Sequence, residues 1–549
     1  MTDNKKSNLI GWGIIILYAA LYIVTTIFHE PWFDEAQAWE IAKCGSYRDL
    51  LFLIPHGEGH PPLWSLILSI PAKTGVPYEL GLKAVAFIFS IATVYLIVFK
   101  SPFSKWIRYS LPFTYFYFYQ YGIISRTYCV VMFLICLLAV NFKNKDEHPY
   151  RYVGLLALLC SSSAYGIVIA GGISICWLVD IWLDNKDVVA RNGIKVLFDD
   201  KRIKALIALL MVAILLVLEI LPYESTVAAN SSRYEYLGKK FAYMFFTMQG
   251  DAFMSSTFPE IWEMAGLLAF VPGIVATVIA WAYFCFVSPK KMWKYYFIPE
   301  TLFATLMTYY GFQHHSGICV LIYIAAAWSG YDAEYKNSQT EKLKTLFGGG
   351  NGGALVWFIK VIPAITMGIM LFYSALSVQK DIAHPYSEGK EIANFIKEHH
   401  MEDARIMAEW YTSYAKTEKD NIKDGEEYEL TIEDFDSNFV ATAVPIIPYF
   451  DKNIVFNHND RFDHAGYVTH FVASAEENMD NYSRWKEYGY PEVLIGSPRI
   501  GFVYGNEIDY SDYELVLNAK NCPIWKGSMS EFTTRVYVRK DCLEKYGFN

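Results

Sequence analysis

The stretch LIGWGIIILYAALYIVTTIFHEPWFDEAQAW, Leu9 to Trp39, contains the features that decide the fold. Its first part carries no charge over about twenty residues, enough at 1.5 Å per residue to cross a hydrocarbon core of roughly 30 Å. Two lysines precede this run, and no small-residue cleavage site follows it. The pattern predicts an uncleaved anchor with a cytoplasmic N-terminus, so that the acid pair Asp34 and Glu35 faces outward.

The composition also indicates a membrane protein. The 549 residues are 54% hydrophobic, 17% aromatic and only 19% charged, with a mean hydropathy of +0.20. A single soluble core could not bury so much apolar surface. The net charge of -9 lies mostly in the C-terminal third and argues against a nucleic-acid partner.

Ten further apolar runs follow the first, which predicts a polytopic α-helical membrane protein with about eleven transmembrane helices. The runs lie at Gly81–Phe99, Ile107–Tyr121, Thr127–Phe142, Tyr152–Ser163, Gly166–Leu183, Ile203–Pro222, Ile261–Val287, Tyr295–Phe312, Gly317–Gly330 and Leu355–Leu376. Cytoplasmic loops of membrane proteins are enriched in Lys and Arg. The basic loops of this chain all lie on the cytoplasmic side if Pro61–Ala72 does not cross the membrane. That segment is short and holds three prolines, so we interpret it as an interfacial or half-inserted helix.

This topology divides the chain into a transmembrane domain, residues 1–376, and a C-terminal domain, residues 377–549. The transmembrane domain has two long external loops, at 29–77 and 223–260. An internal segment ends in the glycine cluster Gly348–Gly353, which predicts a flexible linker before the last span.

The C-terminal domain is predicted to be soluble, extracytoplasmic and α/β. A helix-like stretch, Glu388–His399, alternates with strand-like ones such as Val493–Ile495 and Thr534–Val538. Cys522 and Cys542 both lie in this domain, and the sequence leaves open whether they are bridged.

The acid pair is the first candidate for chemistry. Pro31 at the first helical position would place both acids in the first turns of a surface helix, about 100° apart around its axis. We assign the reacting role to Asp34, because the helix dipole favours its ionised form, and a supporting role to Glu35. The alternative is that the pair only caps the helix.

The first external loop ends in HGEGHPPLW, which holds His56, Glu58 and His60. Their spacing allows all three to converge on one turn. Substrate contact, a divalent metal and a structural role all remain open, since the string matches no specific metal motif.

Three cationic or titratable groups fall at external span ends. Arg126, in ISRTY, would either pair with an acid or hold an anion such as a lipid phosphate. His314 and His315, in GFQHHSG, precede a helix start, where anions are favoured. These residues are candidates for binding a phosphate.

The ordered set HEPWFDEAQAW, EGHPPLW, ISRTY and HHSG resembles a bacterial branch of the GT-C membrane glycosyltransferases, whose members include protein O-mannosyltransferases. The resemblance covers the membrane part, including the GT-C fold with its long external loops, and not the tail. It implies transfer of a sugar from a polyprenyl-phosphate donor to a glycan, lipid or protein acceptor at the external face of the membrane.

By the same resemblance, Asp34 would be the catalytic base or acceptor-orienting acid, supported by Glu35. The chain lacks the second acidic pair of the metal-dependent oligosaccharyltransferases, which puts an obligatory metal in doubt. A transporter or flippase for lipid-linked sugars is the main alternative, although such proteins typically carry internal repeats and ionisable groups at mid-membrane depth. A receptor or assembly protein whose tail does the work is a third reading, but eleven spans exceed what an anchor requires.

Overall fold

The computed structural model describes residues 3–221, 237–254, 270–310, 313–346, 349–408, 411–412, 438–439, 442–456, 486, 489–496 and 510–548. Most of these residues are helical. The α-helices of the described part are Asp3–Phe28, Phe33–Cys44, Tyr47–Phe52, Ile54–Glu58, Leu63–Lys73, Tyr78–Lys100, Lys105–Ser110, Tyr128–Asn141, Pro149–Ser162, Ala164–Asn192, Lys201–Ile220, Leu237–Phe253, Phe270–Val287, Lys294–Tyr310, Gly317–Gly330, Ala333–Leu346, Gly349–Ala383 and Gly389–Glu398.

Within the described residues, five helices are long and apolar enough to cross a membrane, and the chain is a helical membrane protein. A sixth span results if two helices that meet at a 94° bend, His314–Gly330 and Ala333–Leu346, are counted together. The five candidate spans are Ser7–Phe28, Tyr78–Lys100, Ala164–Asn192, Lys201–Ile220 and Val356–Ala383. Each coincides with a run expected from the sequence.

The predicted count of eleven is not confirmed. Helices Tyr128–Asn141 and Pro149–Ser162 have 14 residues each, which corresponds to about 21 Å against a core of roughly 30 Å. The run predicted at Ile107–Tyr121 is broken around Pro112, and a π-helix, Phe116–Ile123, follows the break. Proline cannot donate the helical hydrogen bond and its ring clashes with the preceding turn, so a straight span cannot form there.

The glycine cluster before the last span is not a linker. Helix Gly349–Ala383 begins inside it and continues for 35 residues. Glycine costs about 1 kcal/mol relative to alanine in a helix interior, but packing against helix Ala333–Leu346 outweighs local propensity here. The same helix runs across the expected domain boundary at residue 377.

The C-terminal domain contains the predicted mixture of helix and sheet. Strands β1 (Ile406–Ala408), β4 (Val493–Gly496), β8 (Phe532–Arg539) and β5 (Tyr513–Asn521) form one sheet in the order β1-β4-β8-β5. The β1 and β4 strands are parallel and the other pairs are antiparallel. Helix Gly389–Glu398 buries its apolar side in the same core as β1, β4 and β8.

Short strands complete the domain. They are β2 (Tyr411–Thr412), β3 (Asn438–Phe439), β6 (Ile524–Trp525) and β7 (Ser528–Met529).

Cys522 and Cys542 are both free thiols, so the structure does not contain the candidate disulfide. Residues 420–436, which the sequence shows to be rich in Asp and Glu, lie outside the described residues, as do parts of the second external loop, 223–260.

The β6–β7 hairpin leaves the C-terminal core and enters the membrane domain. Its two turn residues, Lys526 and Gly527, have φ values of 46° and 75°, the combination that a type I′ turn requires. Ile524 is buried in the membrane core cluster. Trp525 packs edge-on against Tyr115, with ring centroids 5.5 Å apart. The two domains are therefore joined by packing as well as by the chain.

Candidate functional site

The helix that carries the acid pair begins later than expected. It spans Phe33–Cys44 with Trp32 as its N-cap, so Pro31 is not at the first helical position. The Trp32 N–H donates to the Glu35 carboxylate at 2.8 Å, as in a capping box. This bond fixes the helix start after the proline, and it turns Glu35 back toward the interior.

Glu35 belongs to a closed, buried network. Its side chain and that of His29 have no exposed surface and are joined at 3.2 Å. The other Glu35 oxygen accepts the Ser125 N–H at 2.6 Å. His29 also bonds Asp381 at 2.9 Å, and the Tyr119 hydroxyl donates to the same Asp381 oxygen at 3.1 Å.

His29 is a buried cation in this network. Burial alone would lower its pKa, but the charges of Asp381 and Glu35 outweigh that effect and raise the pKa to about 10. A protonated ring donates from both nitrogens, one to each carboxylate. Glu35 also holds the chain segment that leads into Arg126, because it accepts the Ser125 N–H.

Asp34 is directed to the other side of the helix. Its side chain is 25% exposed and pairs with Arg126, which is 18% exposed. The guanidinium also lies over the rings of Trp32 and Tyr128, at 5.6 and 5.5 Å from their centroids. The pairing of Arg126 with an acid, one of the two sequence alternatives, is therefore the arrangement in this structure.

The charge state of Asp34 corrects the argument from the helix dipole. Burial raises the pKa of Asp34 above its usual value, and the neighbouring Arg126 reduces this increase without cancelling it. A carboxylate with a raised pKa is a stronger base once it is ionised.

Glu58 and His60 face the same ion pair. Burial raises the pKa of Glu58 to about 7, while a hydrogen bond from Gln37, at 3.4 Å, and the charge of Arg126 act in the opposite direction. Burial lowers the pKa of His60 to about 4, and Arg126 adds to this effect. Among the described residues, no hydrogen-bond partner is placed at the buried Nδ1 of His60. Glu58 can therefore exchange a proton near neutral pH, and His60 can bind a polar ligand as a neutral ring.

The histidine pair completes the cluster. His314 and His315 lie in the short turn Gln313–Ser316, directly before helix Gly317–Gly330. The His315 ring is 2.6 Å from the Tyr165 hydroxyl. The His314 ring lies 6.1 Å from that of Tyr128, and the Tyr121 hydroxyl donates to the His314 carbonyl at 2.8 Å.

Close approach around this turn depends on a glycine. A Cβ at Gly317 would lie 2.3 Å from the Phe116 ring and 2.6 Å from the Tyr121 hydroxyl. The π-helix Phe116–Ile123 can therefore pack directly against the start of the helix that follows the turn. The glycine of the HHSG pattern is thus required for packing, whereas its histidines are the candidates for binding a ligand.

The structure brings six of the eight candidates to one region: Asp34, Glu58, His60, Arg126, His314 and His315. Glu35 lies beneath this region. His56 lies apart, with its Nδ1 2.5 Å from the Leu221 carbonyl oxygen. Convergence of all three residues of the HGEGH string is therefore wrong, because the short helix Ile54–Glu58 points His56 away from Glu58.

Sequence reasoning missed several groups that line the region: Trp32, Gln37, Tyr128 and Tyr165. Trp32 lies inside HEPWFDEAQAW and Tyr128 ends ISRTY, so their aromatic character was a usable signal. Gln37 and Tyr165 carried no signal of their own. In the described part of the chain, no three His, Cys, Asp or Glu side chains are grouped as metal ligands.

Comparison with protein-family models and with curated proteins gives no match to this chain.

Proposed function

We propose that this protein is a GT-C type glycosyltransferase that moves a sugar from a polyprenyl-phosphate donor to an acceptor hydroxyl at the external face of the membrane. The observation that carries the proposal is the partly exposed Asp34–Arg126 pair, set among Glu58, His60 and the histidine turn. A base and a phosphate-binding cation are the two groups that this reaction needs side by side.

Arg126 suits the phosphate of the donor. A guanidinium offers bidentate donors to phosphate, and its charge would stabilise the negative charge that develops on the leaving group. Donor binding would draw the guanidinium from Asp34 to the phosphate. The released carboxylate could then accept the proton of the attacking hydroxyl.

Glu58 provides a second titratable group beside the first. With a pKa of about 7 it exchanges protons at neutral pH, so it can accept a hydrogen bond from the acceptor or take on its proton. His60 is neutral at that pH and can donate or accept a hydrogen bond without adding charge.

The test is a transfer assay with purified protein, a synthetic polyprenyl-phosphate sugar and a set of acceptors. Asp34→Asn should reduce kcat/KM by at least about a hundredfold, which is about 2.7 kcal/mol of transition-state stabilisation. Asp49→Asn is the matched control, since Asp49 lies in the same loop and only caps helix Tyr47–Phe52. Equal turnover by the Asp34 variant and wild type would exclude the catalytic assignment.

One observation favours the flippase alternative. Glu300 and Gln249 are both buried in the helical bundle, 2% and 0% exposed, and Gln249 donates to the Glu300 carboxylate. Buried ionisable groups inside membrane bundles are common in transport pathways. Vesicles containing the protein and a fluorescent lipid-linked sugar distinguish the two functions: a flippase moves the probe between leaflets without an acceptor, and Glu300→Gln should slow that movement.

A further inference from the structure

The tip of the β6–β7 hairpin places a lysine inside the membrane domain. The Lys526 side chain is only 1% exposed, and its ammonium lies 3.1 Å from one carboxylate oxygen of Asp251, itself 6% exposed. It also donates to the main-chain carbonyl of Asp251. The rings of Phe116 and Trp525 lie 5.3 and 5.5 Å from the ammonium. A buried ammonium without such partners would cost several kcal/mol, so this placement depends on Asp251.

Asp251 connects this lysine to the histidine turn. Its second carboxylate oxygen accepts a hydrogen bond from the Ser316 hydroxyl. Ser316 is the last residue of the turn that holds His314 and His315. A continuous line of polar contacts therefore runs from the C-terminal domain to the candidate site.

The hairpin is held in this position by several independent contacts. Lys526 has a positive φ of 46°, a conformation that costs a non-glycine residue about 1 kcal/mol or more and persists only where the surroundings impose it. The Gly527 N–H donates to the Ser377 hydroxyl at 2.9 Å. A Cβ at Gly527 would lie 2.3 Å from the Leu376 side chain, so this position requires glycine for space as well as for its φ of 75°.

We propose that Lys526 is a positioning residue, which reaches from the C-terminal domain through Asp251 and Ser316 to hold the His314–His315 turn in its place in the candidate site. The C-terminal domain then contributes to the contacts that organise the candidate site. The placement of the turn is independent of the reaction; only the activity measurements below rest on the proposed function.

The first experiment measures the turn directly in the full-length protein. Diethyl pyrocarbonate modifies accessible histidines, and mass spectrometry gives the rate at each one. We expect Lys526→Met to speed modification of His315, which is 3% exposed in the wild type, by at least about threefold. His399 is the internal control, because it lies in the C-terminal domain and bonds the Tyr546 carbonyl.

The matched control variant is Lys520→Met. Lys520 lies on β5 and pairs with Glu531 at the surface, with side chains 58% and 49% exposed. Its loss should leave His315 modification unchanged. Unchanged modification in Lys526→Met would overturn the proposal. Faster modification of His399 as well would indicate general unfolding, and Ser316→Ala, which breaks the same line of contacts, then decides: unchanged His315 modification in that variant would overturn the proposal.

Activity provides the second measurement. In the transfer assay, Lys526→Met and Ser316→Ala should each raise the donor KM about tenfold with a smaller change in kcat, as expected when candidate phosphate-binding groups are displaced. Lys526→Arg, which keeps the charge, should restore most of the donor affinity. The double variant should be no worse than Lys526→Met, since both changes break the same line of contacts.

The outcomes separate this inference from the proposed function. An active wild type whose Lys526→Met and Ser316→Ala variants retain the wild-type donor KM would overturn the positioning role and leave the function standing. A wild type without transfer activity, in which Lys526→Met still exposes His315, would support the positioning role and reject the function. If Lys526→Met does not fold, Ser316→Ala supplies the same comparison.

Discussion

The two sides of helix Phe33–Cys44 differ sharply although their acids are adjacent in sequence. On one side, Glu35 is completely buried, and the His29 ring and two main-chain amides, those of Trp32 and Ser125, hold it in place. On the other, Asp34 is a quarter exposed and pairs with Arg126 beside groups whose pKa values are shifted. The first side forms a rigid support, and the second is where a substrate can compete for the existing contacts.

The difference indicates how the site is built. The Glu35 carboxylate accepts a hydrogen bond from the Ser125 N–H, and Arg126 directly follows Ser125 in the chain. The buried side therefore sets the position of the cation that the open side uses. Changes on the buried side should reduce stability first, whereas changes on the open side should reduce activity first.

The largest effect should come from Glu35→Gln. The two Glu35 oxygens accept from the His29 ring and from the N–H groups of Trp32 and Ser125, whereas glutamine has one acceptor oxygen. At least one buried donor is then left without its acceptor, which costs about 1.5 to 3 kcal/mol for a bond to a charged group. Asp34→Asn, at a partly exposed pair, should cost only about 1 kcal/mol. Unfolding of the detergent-solubilised variants measures the loss of stability caused by each substitution. Equal losses of stability would mean that the two sides do not differ as described.

Arg126→Lys should keep the charge and lose activity. Lysine cannot make the bidentate phosphate contact or lie flat over Trp32 and Tyr128, so we expect kcat/KM to fall about ten- to a hundredfold. Arg48→Lys, at an exposed position of the same external loop as Asp34, is the control in the transfer assay. A fully active Arg126→Lys variant would show that a positive charge supports the reaction without the bidentate contact of a guanidinium.

Tyr119→Phe tests the far end of the buried network. It removes one hydrogen bond to Asp381, and bonds to charged groups contribute about 1.5 kcal/mol. The free energy of unfolding should fall by that amount while the donor KM stays unchanged. Tyr47→Phe, at a position 58% exposed, should have no effect on either quantity.

The last effect is a dependence on pH at Glu58. Its pKa is about 7 in the folded protein and 4.5 when unperturbed, so the folded state favours the protonated acid. The resulting stability is fully present below pH 4.5 and is lost as the pH rises through 7. The wild-type unfolding temperature should therefore fall relative to Glu58→Gln over this range. Glu341→Gln, at a surface pair, should instead give a curve parallel to wild type; a Glu58→Gln curve parallel to wild type would contradict the shifted pKa.

Sequence alone determined the membrane class, five long apolar helices and the α/β character of the tail. These follow from the length and periodicity of apolar runs, which are local properties of the chain. It also identified Asp34 and Arg126, because charged groups at the ends of apolar runs are rare enough to be noticed. It gave the wrong helix start at Pro31 and the wrong neighbours for His56.

Only the tertiary structure decided which charges meet. Glu35 and Asp381 share His29 although Asp381 is 352 residues away from it, and Lys526 reaches Asp251 across 275 residues. No local pattern encodes such pairs, since each depends on how helices and domains pack. Packing also decided which acid is buried and which is open, because a step of 100° around one helix separates the interior of this protein from its candidate site.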